Sequence, residues 1–93
     1  MTVDIFYTAE FEKRYLELPI VVRKKAERRE KIFRQNPFHP TLQTEKLKPK
    51  SKEYWSFRID PAYRIIFRFR DDGAIYFVTC GHHTWIYQYV ITH

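Results

Sequence analysis

Arginines recur at even-numbered positions in the second half of the chain, within segments rich in aromatic and β-branched residues. Side chains of a β-strand alternate between its two faces, so such arginines are expected to share one face of a sheet. These residues are Arg58, Arg64, Arg68 and Arg70. A guanidinium group binds a phosphate or a carboxylate through two parallel hydrogen bonds. The spacing therefore predicts an anion-binding face, although a solvated basic face without a ligand would show the same pattern.

Two adjacent histidines, His82 and His83, follow the last of these segments. An imidazole titrates near neutral pH and can act as a general acid or base. Strand alternation continued past Cys80 places His82 on the arginine face, unless Gly81 bends or ends the strand. No carboxylate or thiol lies near the pair at metal-ligand spacing, so neither a metal ion nor another cofactor is expected.

The elements that must position these groups follow the order strand, helix, helix and three strands, which predicts an α+β fold. Residues 3–7 are β-branched and aromatic, as in a strand. Thr8 can cap a first helix that Pro19 ends, and a second helix continues to the stop sequence Asn36-Pro37. The residues expected to face the core from these helices are Phe11, Tyr15, Leu18, Val22, Ala26 and Phe33.

The three later strands are predicted to form an antiparallel meander. They cover residues 54–59, 63–70 and 74–80. Each connecting turn holds three residues, which places Arg58 opposite Arg64 and Arg64 opposite Cys80. Odd-numbered positions are nearly all apolar and are expected to pack against the helices: Trp55, Phe57, Ile59, Tyr63, Ile65, Phe67, Phe69, Ile75 and Phe77. The even-numbered face is expected to be open to solvent or to a partner.

A lysine-rich segment precedes the meander and is expected to be a flexible loop whose ammonium groups neutralise phosphates. Its lysines are Lys46, Lys48, Lys50 and Lys52. Aromatic side chains near the arginine face can either stack on unpaired bases or pack in the core. They are Tyr54, Tyr76, Trp85 and Tyr87.

The charge of the whole chain favours an anionic partner. Seventeen Lys and Arg against eleven Asp and Glu give a net charge of +6 over 93 residues, although such a charge also keeps small proteins in solution.

The length fits one domain, residues 1–93. Cys80 has no second cysteine to pair with, and no apolar run reaches the ~20 residues of a membrane span. We therefore expect a cytoplasmic protein with no membrane contact.

The second half of the chain contains the run NPFHPTLQTEKLKPKSKEYWSFRIDPAYRIIFRF, followed by VTCGHHTWIYQY. Its most specific pieces are EKLK, YWSFRI followed by YRIIFRF, and the CGHH corner. In these pieces the chain resembles toxins of the RelE/ParE superfamily, and most of all the YoeB-like and RelE-like messenger RNA interferases. The resemblance implies a RelE-like fold and the toxin of a type II toxin–antitoxin system, with a cognate antitoxin as partner. It also implies cleavage of messenger RNA at the A site of the ribosome.

The resemblance further implies which residues are catalytic. Matched without gaps, Glu45, Arg64 and His83 fall on the catalytic positions of YoeB-like toxins. Glu45 would take the proton from a ribose 2′-hydroxyl, Arg64 would stabilise charge on the phosphate, and His83 would protonate the leaving 5′-oxygen. The resemblance thus selects His83, where strand alternation selects His82.

In RelE-like toxins a C-terminal tyrosine belongs to the catalytic group, and Tyr87 matches it. The catalytic lysines of RelE fall on Trp55 and Phe57, so the lysine-based form of the site is not expected here. The residues expected to bind the RNA around the catalytic group are Lys46, Lys48, Lys50, Lys52, Arg58, Arg68 and His82.

Two other functions share the fold or the basic surface. A ParE-like toxin inhibits DNA gyrase by binding, and such toxins generally lack the combination of Glu45, Arg64 and His83. A non-enzymatic RNA-binding relative would keep the basic face without cutting RNA. Glu45 could also have only a surface role, as an ion-pair partner of Lys46 or Lys48.

Overall fold

A five-stranded sheet runs through the protein. The computed structural model describes residues 3–93, and Met1 and Thr2 of the expected domain lie outside the described residues. The strands are β1 (Ile5–Tyr7), β2 (Glu45–Lys46), β3 (Trp55–Arg58), β4 (Tyr63–Phe69) and β5 (Ile75–His82). The helices are α1 (Ala9–Glu17), α2 (Ile20–Gln35) and α3 (His83–Thr92), with short 3₁₀ helices at Pro40–Leu42 and Lys50–Lys52. The strand order is β1-β5-β4-β3-β2, with β1 parallel to β5 and the other pairs antiparallel. The predicted α+β fold is confirmed.

Local sequence determines where the first two helices begin and end, as predicted. Thr8 caps α1, and its Oγ accepts a hydrogen bond from the Phe11 amide at 3.0 Å. Pro19 lies directly before α2 with φ −54°, because proline interrupts one helix but suits the start of the next. Asn36 ends α2, and its side chain accepts a hydrogen bond from the Phe38 amide at 3.0 Å.

Phe33 of α2 lies at the centre of the core between the helices and the sheet. Its fully buried ring lies 4.8 Å from the ring of Phe57, 4.9 Å from that of Phe67 and 5.4 Å from that of Phe77. These three partners occupy odd-numbered positions on three neighbouring strands, so the predicted apolar face is confirmed there. Phe69 is an exception: it is 39% exposed at the end of β4 and stacks on Phe38.

The C-terminal segment forms α3, which packs on the even-numbered face of the sheet. Ile86 and Val90 of α3 are buried with Ile66 of β4 in a second apolar cluster, and Val78 of β5 packs against it. The even-numbered face of the sheet is therefore not open at its centre, contrary to the expectation, because burial of the apolar Ile66 side chain under α3 is favourable. In the part of the chain that the structure describes, none of the helices has the length and apolar character needed to cross a lipid bilayer.

Strand β5 contains one extra residue relative to β4. Ile66 is opposite Thr79, whereas the next residue, Phe67, is opposite Phe77, so Val78 has no partner on β4. A β-bulge of this kind reverses the alternation of every later residue in the strand.

The bulge corrects two predictions about the arginine face. Cys80 lies in the core on the side of the sheet that faces α1 and α2. Arg64 is opposite Gly81 rather than Cys80. Gly81 also allows α3 to fold back on the sheet, because a Cβ atom there would lie 2.8 Å from a ring carbon of Trp85. Trp85 therefore packs against the strand.

We expect replacement of Phe33 by alanine to destabilise the fold by about 3–5 kcal/mol, because the ring contacts three strands and its loss leaves a cavity. Urea unfolding followed by circular dichroism measures this change. The matched control is Phe38→Ala, which removes a ring that is 54% exposed and is expected to cost much less. Similar losses for the two variants would contradict a core centred on Phe33.

Candidate active site

Glu45 lies on the even-numbered face of the sheet because of a short strand that the sequence did not predict. Strand β2 pairs with β3, and Glu45 is opposite Ser56. Further along β3, Arg58 is opposite Arg64, as predicted. Residues directly opposite each other share a face of an antiparallel sheet. The exposed Glu45 side chain is therefore on the same side of the sheet as both arginines.

Arg64 is nearly buried on the central strand β4, with 7% of its surface exposed. Its Nη1 donates a hydrogen bond to the Pro61 carbonyl at 3.3 Å. None of the ion pairs formed within residues 3–93 includes Arg64. A guanidinium that is partly removed from water attracts an anion more strongly than an exposed one, because less water screens its charge. The position of Arg64 therefore suits a phosphate ligand.

His83 and Tyr87 come to this side of the sheet on α3. His83 is the first residue of the helix, and its amide donates a hydrogen bond to the Ala62 carbonyl at 2.8 Å. Tyr87 follows one helical turn later on the same side of α3 and is 44% exposed. The structure thus places all four predicted catalytic side chains, from β2, β4 and α3, on one side of the sheet: Glu45, Arg64, His83 and Tyr87.

The alternation argument that placed His82 on the arginine face is wrong, because the bulge in β5 reverses the alternation. His82 is opposite Tyr63, and the two rings meet edge to face at 5.5 Å. Its Nδ1 accepts a hydrogen bond from the Thr84 amide at 3.3 Å, which caps α3. No group of three or more His, Cys, Asp or Glu side chains placed to hold a metal ion occurs among the described residues.

The lysine-rich segment is structured at three of its four lysines, since Lys46 lies in a strand and Lys50 and Lys52 lie in a 3₁₀ helix, so the expectation of a flexible loop is wrong for these. Lys46 belongs to β2, and its ammonium lies 3.3 Å from the Glu53 carboxylate. Lys52 donates a hydrogen bond to the Val90 carbonyl at 2.8 Å, where a positive charge offsets the negative end of the α3 dipole. The two exposed lysines of the segment are Lys48 and Lys50.

Helix α3 covers the middle of the arginine face, so the expectation that this whole face is open is wrong. It covers Ile66, which lies between Arg64 and Arg68 on β4. Arg68 is exposed beyond the covered part of the strand, and Arg70 forms an ion pair with Asp72 at 3.1 Å. Arg64 is thereby separated from the two later arginines.

The remaining aromatic residues differ in how they can contact a ligand. Tyr54 is 7% exposed and packs in the core beneath Arg68, whose guanidinium lies 5.2 Å from the ring centre. Tyr76 is 40% exposed, and the Arg70 guanidinium lies 5.3 Å from its ring centre. Tyr87 belongs to α3 and is 44% exposed. Of these residues, Tyr87 is therefore the one with an exposed ring on the helix that also carries His83.

The turn between β3 and β4 contains a carboxylate that is not among the predicted site residues. Asp60 Oδ1 accepts hydrogen bonds from the amides of Ala62 at 2.8 Å and Tyr63 at 2.9 Å, and Oδ2 lies 3.4 Å from the Lys25 ammonium. Desolvation alone would raise the pKa of Asp60, but the two amides and Lys25 outweigh it and hold the pKa below its ordinary value. The sequence indicates this arrangement only through the position of Asp60 at the start of a turn, where aspartate side chains commonly accept hydrogen bonds from later amides.

Comparison with known protein families identifies a related family. A family model described as the YoeB-like toxin of bacterial type II toxin–antitoxin systems matches residues 13–84. The matched region includes Glu45, Arg64 and His83 and ends before Tyr87. No curated protein sequence matches the chain.

Several solved structures have a similar fold. A YoeB/ParE toxin from Agrobacterium tumefaciens is 20% identical, with a TM-score of 0.71 over 87% of this chain and 99% of the other. A YoeB dimer from Staphylococcus aureus is 23% identical, with a TM-score of 0.70 over 89% and 99%. The RelB–RelE antitoxin–toxin complex from Methanococcus jannaschii contains a chain that is 25% identical, with a TM-score of 0.71 over 90% and 96%.

Cys80 provides a test of the register on which the site depends. Burial raises the pKa of its thiol to about 12, so the thiol of the folded protein is both protonated and shielded. We expect iodoacetamide at about pH 8 to alkylate Cys80 much more slowly in the native protein than in urea, because the thiolate is the reactive form. Mass spectrometry measures both rates. Equal rates would contradict the buried position and favour the open face that strand alternation predicts.

Proposed function

Because this chain belongs to the YoeB-like toxins of bacterial type II toxin–antitoxin systems, we propose that it is an endoribonuclease that cleaves messenger RNA. The observation that carries the proposal is the position of Arg64, nearly buried and in no ion pair among the described residues. Glu45 and His83 lie on the same side of the sheet. A phosphodiester is the anion that this arrangement of a base, a guanidinium and an acid would act upon.

The proposed reaction is an attack by the RNA on its own backbone. Glu45 takes the proton of a ribose 2′-hydroxyl, and the 2′-oxygen forms a bond to the adjacent phosphorus. Arg64 stabilises the negative charge that builds up on the non-bridging phosphate oxygens. His83 gives a proton to the 5′-oxygen as its bond to phosphorus breaks. The products are a 2′,3′-cyclic phosphate and a free 5′-hydroxyl.

The chemistry of this reaction restricts its substrate. DNA has no 2′-hydroxyl and therefore lacks the nucleophile, so only RNA is cut. The three side chains supply the base, the stabilising charge and the acid, so the proposed reaction needs no metal ion. Tyr87 is the alternative acid, as in the RelE-like form of the site.

The basic residues around the site supply the proposed RNA contacts. Lys48 and Lys50 are exposed in the segment that follows Glu45, and Arg58 lies opposite Arg64. Their charges would neutralise phosphates on either side of the cleaved bond. The RNA contacts of the other four predicted residues stay predictions: Lys46, Lys52, Arg68 and His82. Lys46, Lys52 and His82 have partners within the chain, and α3 separates Arg68 from Arg64.

The proposed partners are a ribosome and an antitoxin. We place the cleavage at the ribosomal A site, in the cytoplasm, where translated message is available. The similarity to structures of toxin–antitoxin complexes supports an antitoxin partner. An acidic or amphipathic antitoxin segment would complement the net charge of +6.

Replacement of Arg64 by alanine should lower the rate of message cleavage at least about 100-fold, because it removes the donors that stabilise the phosphate in the transition state. The experiment incubates the purified protein with programmed ribosomes and maps the cut sites by primer extension. Arg28→Ala is the matched control: Arg28 is exposed on α2, on the opposite side of the sheet. Circular dichroism verifies that each variant is folded.

Two outcomes would refute the proposed nuclease. The intact protein could leave the message uncut and inhibit supercoiling by gyrase, which would identify a ParE-like toxin. It could also bind RNA without cutting it, which would identify a non-enzymatic relative. A message with a single 2′-deoxynucleotide at the cut site separates the mechanisms, since the proposed reaction leaves that position intact.

The two candidate acids are distinguished by separate substitutions. We expect His83→Gln to reduce cleavage at least about 100-fold and Tyr87→Phe to retain most of it, because imidazole donates a proton near neutral pH far more readily than a phenol. Cleavage rates over a range of pH measure the difference. A larger loss in Tyr87→Phe would assign the acid to Tyr87 and indicate the RelE-like form of the site.

A further inference from the structure

The turn between β3 and β4 contacts both Arg64 and His83. The Pro61 carbonyl accepts a hydrogen bond from Arg64 Nη1 at 3.3 Å. The next carbonyl in the chain, that of Ala62, accepts one from the His83 amide at 2.8 Å. Two consecutive carbonyls of one turn thus hold the proposed phosphate-binding group and the first residue of α3. A change in the backbone of this turn would move both acceptors together.

The Asp60 side chain fixes the conformation of this turn. One of its carboxylate oxygens accepts hydrogen bonds from the amides of Ala62 and Tyr63, at 2.8 and 2.9 Å. The other oxygen lies 3.4 Å from the ammonium of Lys25, which connects the turn to α2 on the far side of the sheet. The backbone closes the same loop, since the Ile59 amide donates to the Tyr63 carbonyl at 2.9 Å.

We propose that Asp60 is a positioning residue for the cleavage reaction, an inference that rests on the proposed function. Asp60 holds the turn so that the Pro61 and Ala62 carbonyls orient the Arg64 guanidinium and the start of α3 relative to each other. Its carboxylate contacts the amides of Ala62 and Tyr63 and not the reacting atoms. An error of about 1 Å in the placement of catalytic groups can cost as much as about 100-fold in rate. The residue therefore affects the rate of reaction more than the binding of RNA.

The second hairpin provides a matched comparison within the same chain. Asp72 also begins a turn and accepts a hydrogen bond from a later amide, that of Ala74, at 3.0 Å. Aspartates at such positions commonly serve only to stabilise the turn. The difference is in what the turn contacts: the loop that contains Asp60 holds Arg64 and His83, whereas the Asp72 loop connects β4 to β5 at the other end of the sheet.

The test compares three variants in the ribosome cleavage assay. Asp60→Ala removes both oxygen acceptors, and we expect kcat to fall at least about 10-fold with a smaller change in KM. Asp60→Asn keeps one carbonyl oxygen in the place of Oδ1, and it should restore most of the rate. Asp72→Ala should leave cleavage close to that of the unchanged protein. All rates are normalised to the folded fraction measured by circular dichroism.

A second measurement follows the positions of the two groups without cleavage. Hydrogen exchange detected by NMR reports the protection of the His83 amide, and the Nε–H resonance of Arg64 reports the environment of its guanidinium. We expect Asp60→Ala to speed exchange at His83 and to shift the Arg64 resonance, while amides of the Phe33 core keep their protection. Asp60→Asn should resemble the unchanged protein in both respects.

The outcomes separate the proposal from the proposed function. Loss of rate and of local protection in Asp60→Ala, with recovery in Asp60→Asn, supports the positioning role. Unchanged protection at His83 and an unchanged rate in Asp60→Ala would overturn it, as would equal losses in Asp72→Ala. A different result would be an unchanged protein that cuts no message although Asp60→Ala still alters the His83 amide and the Arg64 resonance. In that case the nuclease proposal fails, and the role of Asp60 in cleavage fails with it.

Discussion

Strand β4 is buried on both of its faces, and the rest of the structure is arranged around that constraint. The odd-numbered face of the sheet packs on Phe33 of α2, and the even-numbered face of β4 packs on Ile86 of α3. A strand buried on two sides must keep one register, because a shift of one residue would move apolar side chains to the wrong face. The central register therefore determines where the neighbouring strands present their polar groups.

This register makes the placement of Arg64 possible. A charged group on a strand that is covered from both sides loses much of its hydration, which costs free energy unless polar partners replace the water. The Pro61 carbonyl supplies one such partner. Stability and the proposed chemistry thus oppose each other at this residue, as is common for residues that bind a charged substrate.

Helix α3 has two effects on the surface that it covers. It shields Ile66 from water and thereby separates Arg64 from Arg68 on β4. It also carries His83 and Tyr87 to the side of the sheet where Glu45 lies. The helix is held at its beginning by the Ala62 carbonyl and near its end by Lys52. The same segment that closes the second core therefore completes the proposed active site.

The elements that could be predicted from the sequence are those whose cause is local. The helix boundaries at Thr8, Pro19 and Asn36, the alternating apolar face and the opposition of Arg58 to Arg64 follow from capping, turn length and the two-residue period of a strand. Resemblance added the family and assigned catalytic roles to Glu45, Arg64, His83 and Tyr87, whereas local pattern alone offers only an anion-binding arginine face and a pair of histidines.

Tertiary structure decided the rest, because each remaining feature depends on contacts between distant segments. No local feature of the sequence predicts the extra residue at Val78. It nevertheless places Cys80 in the core and His82 on the side of the sheet that faces α1 and α2. Strand β2 exists only through its pairing with β3, and α3 lies where Ile66 offers an apolar surface to cover. Arg58 and Arg64 therefore lie opposite each other, as alternation predicts. His82, which alternation assigned to the same face, lies on the other face because of the bulge.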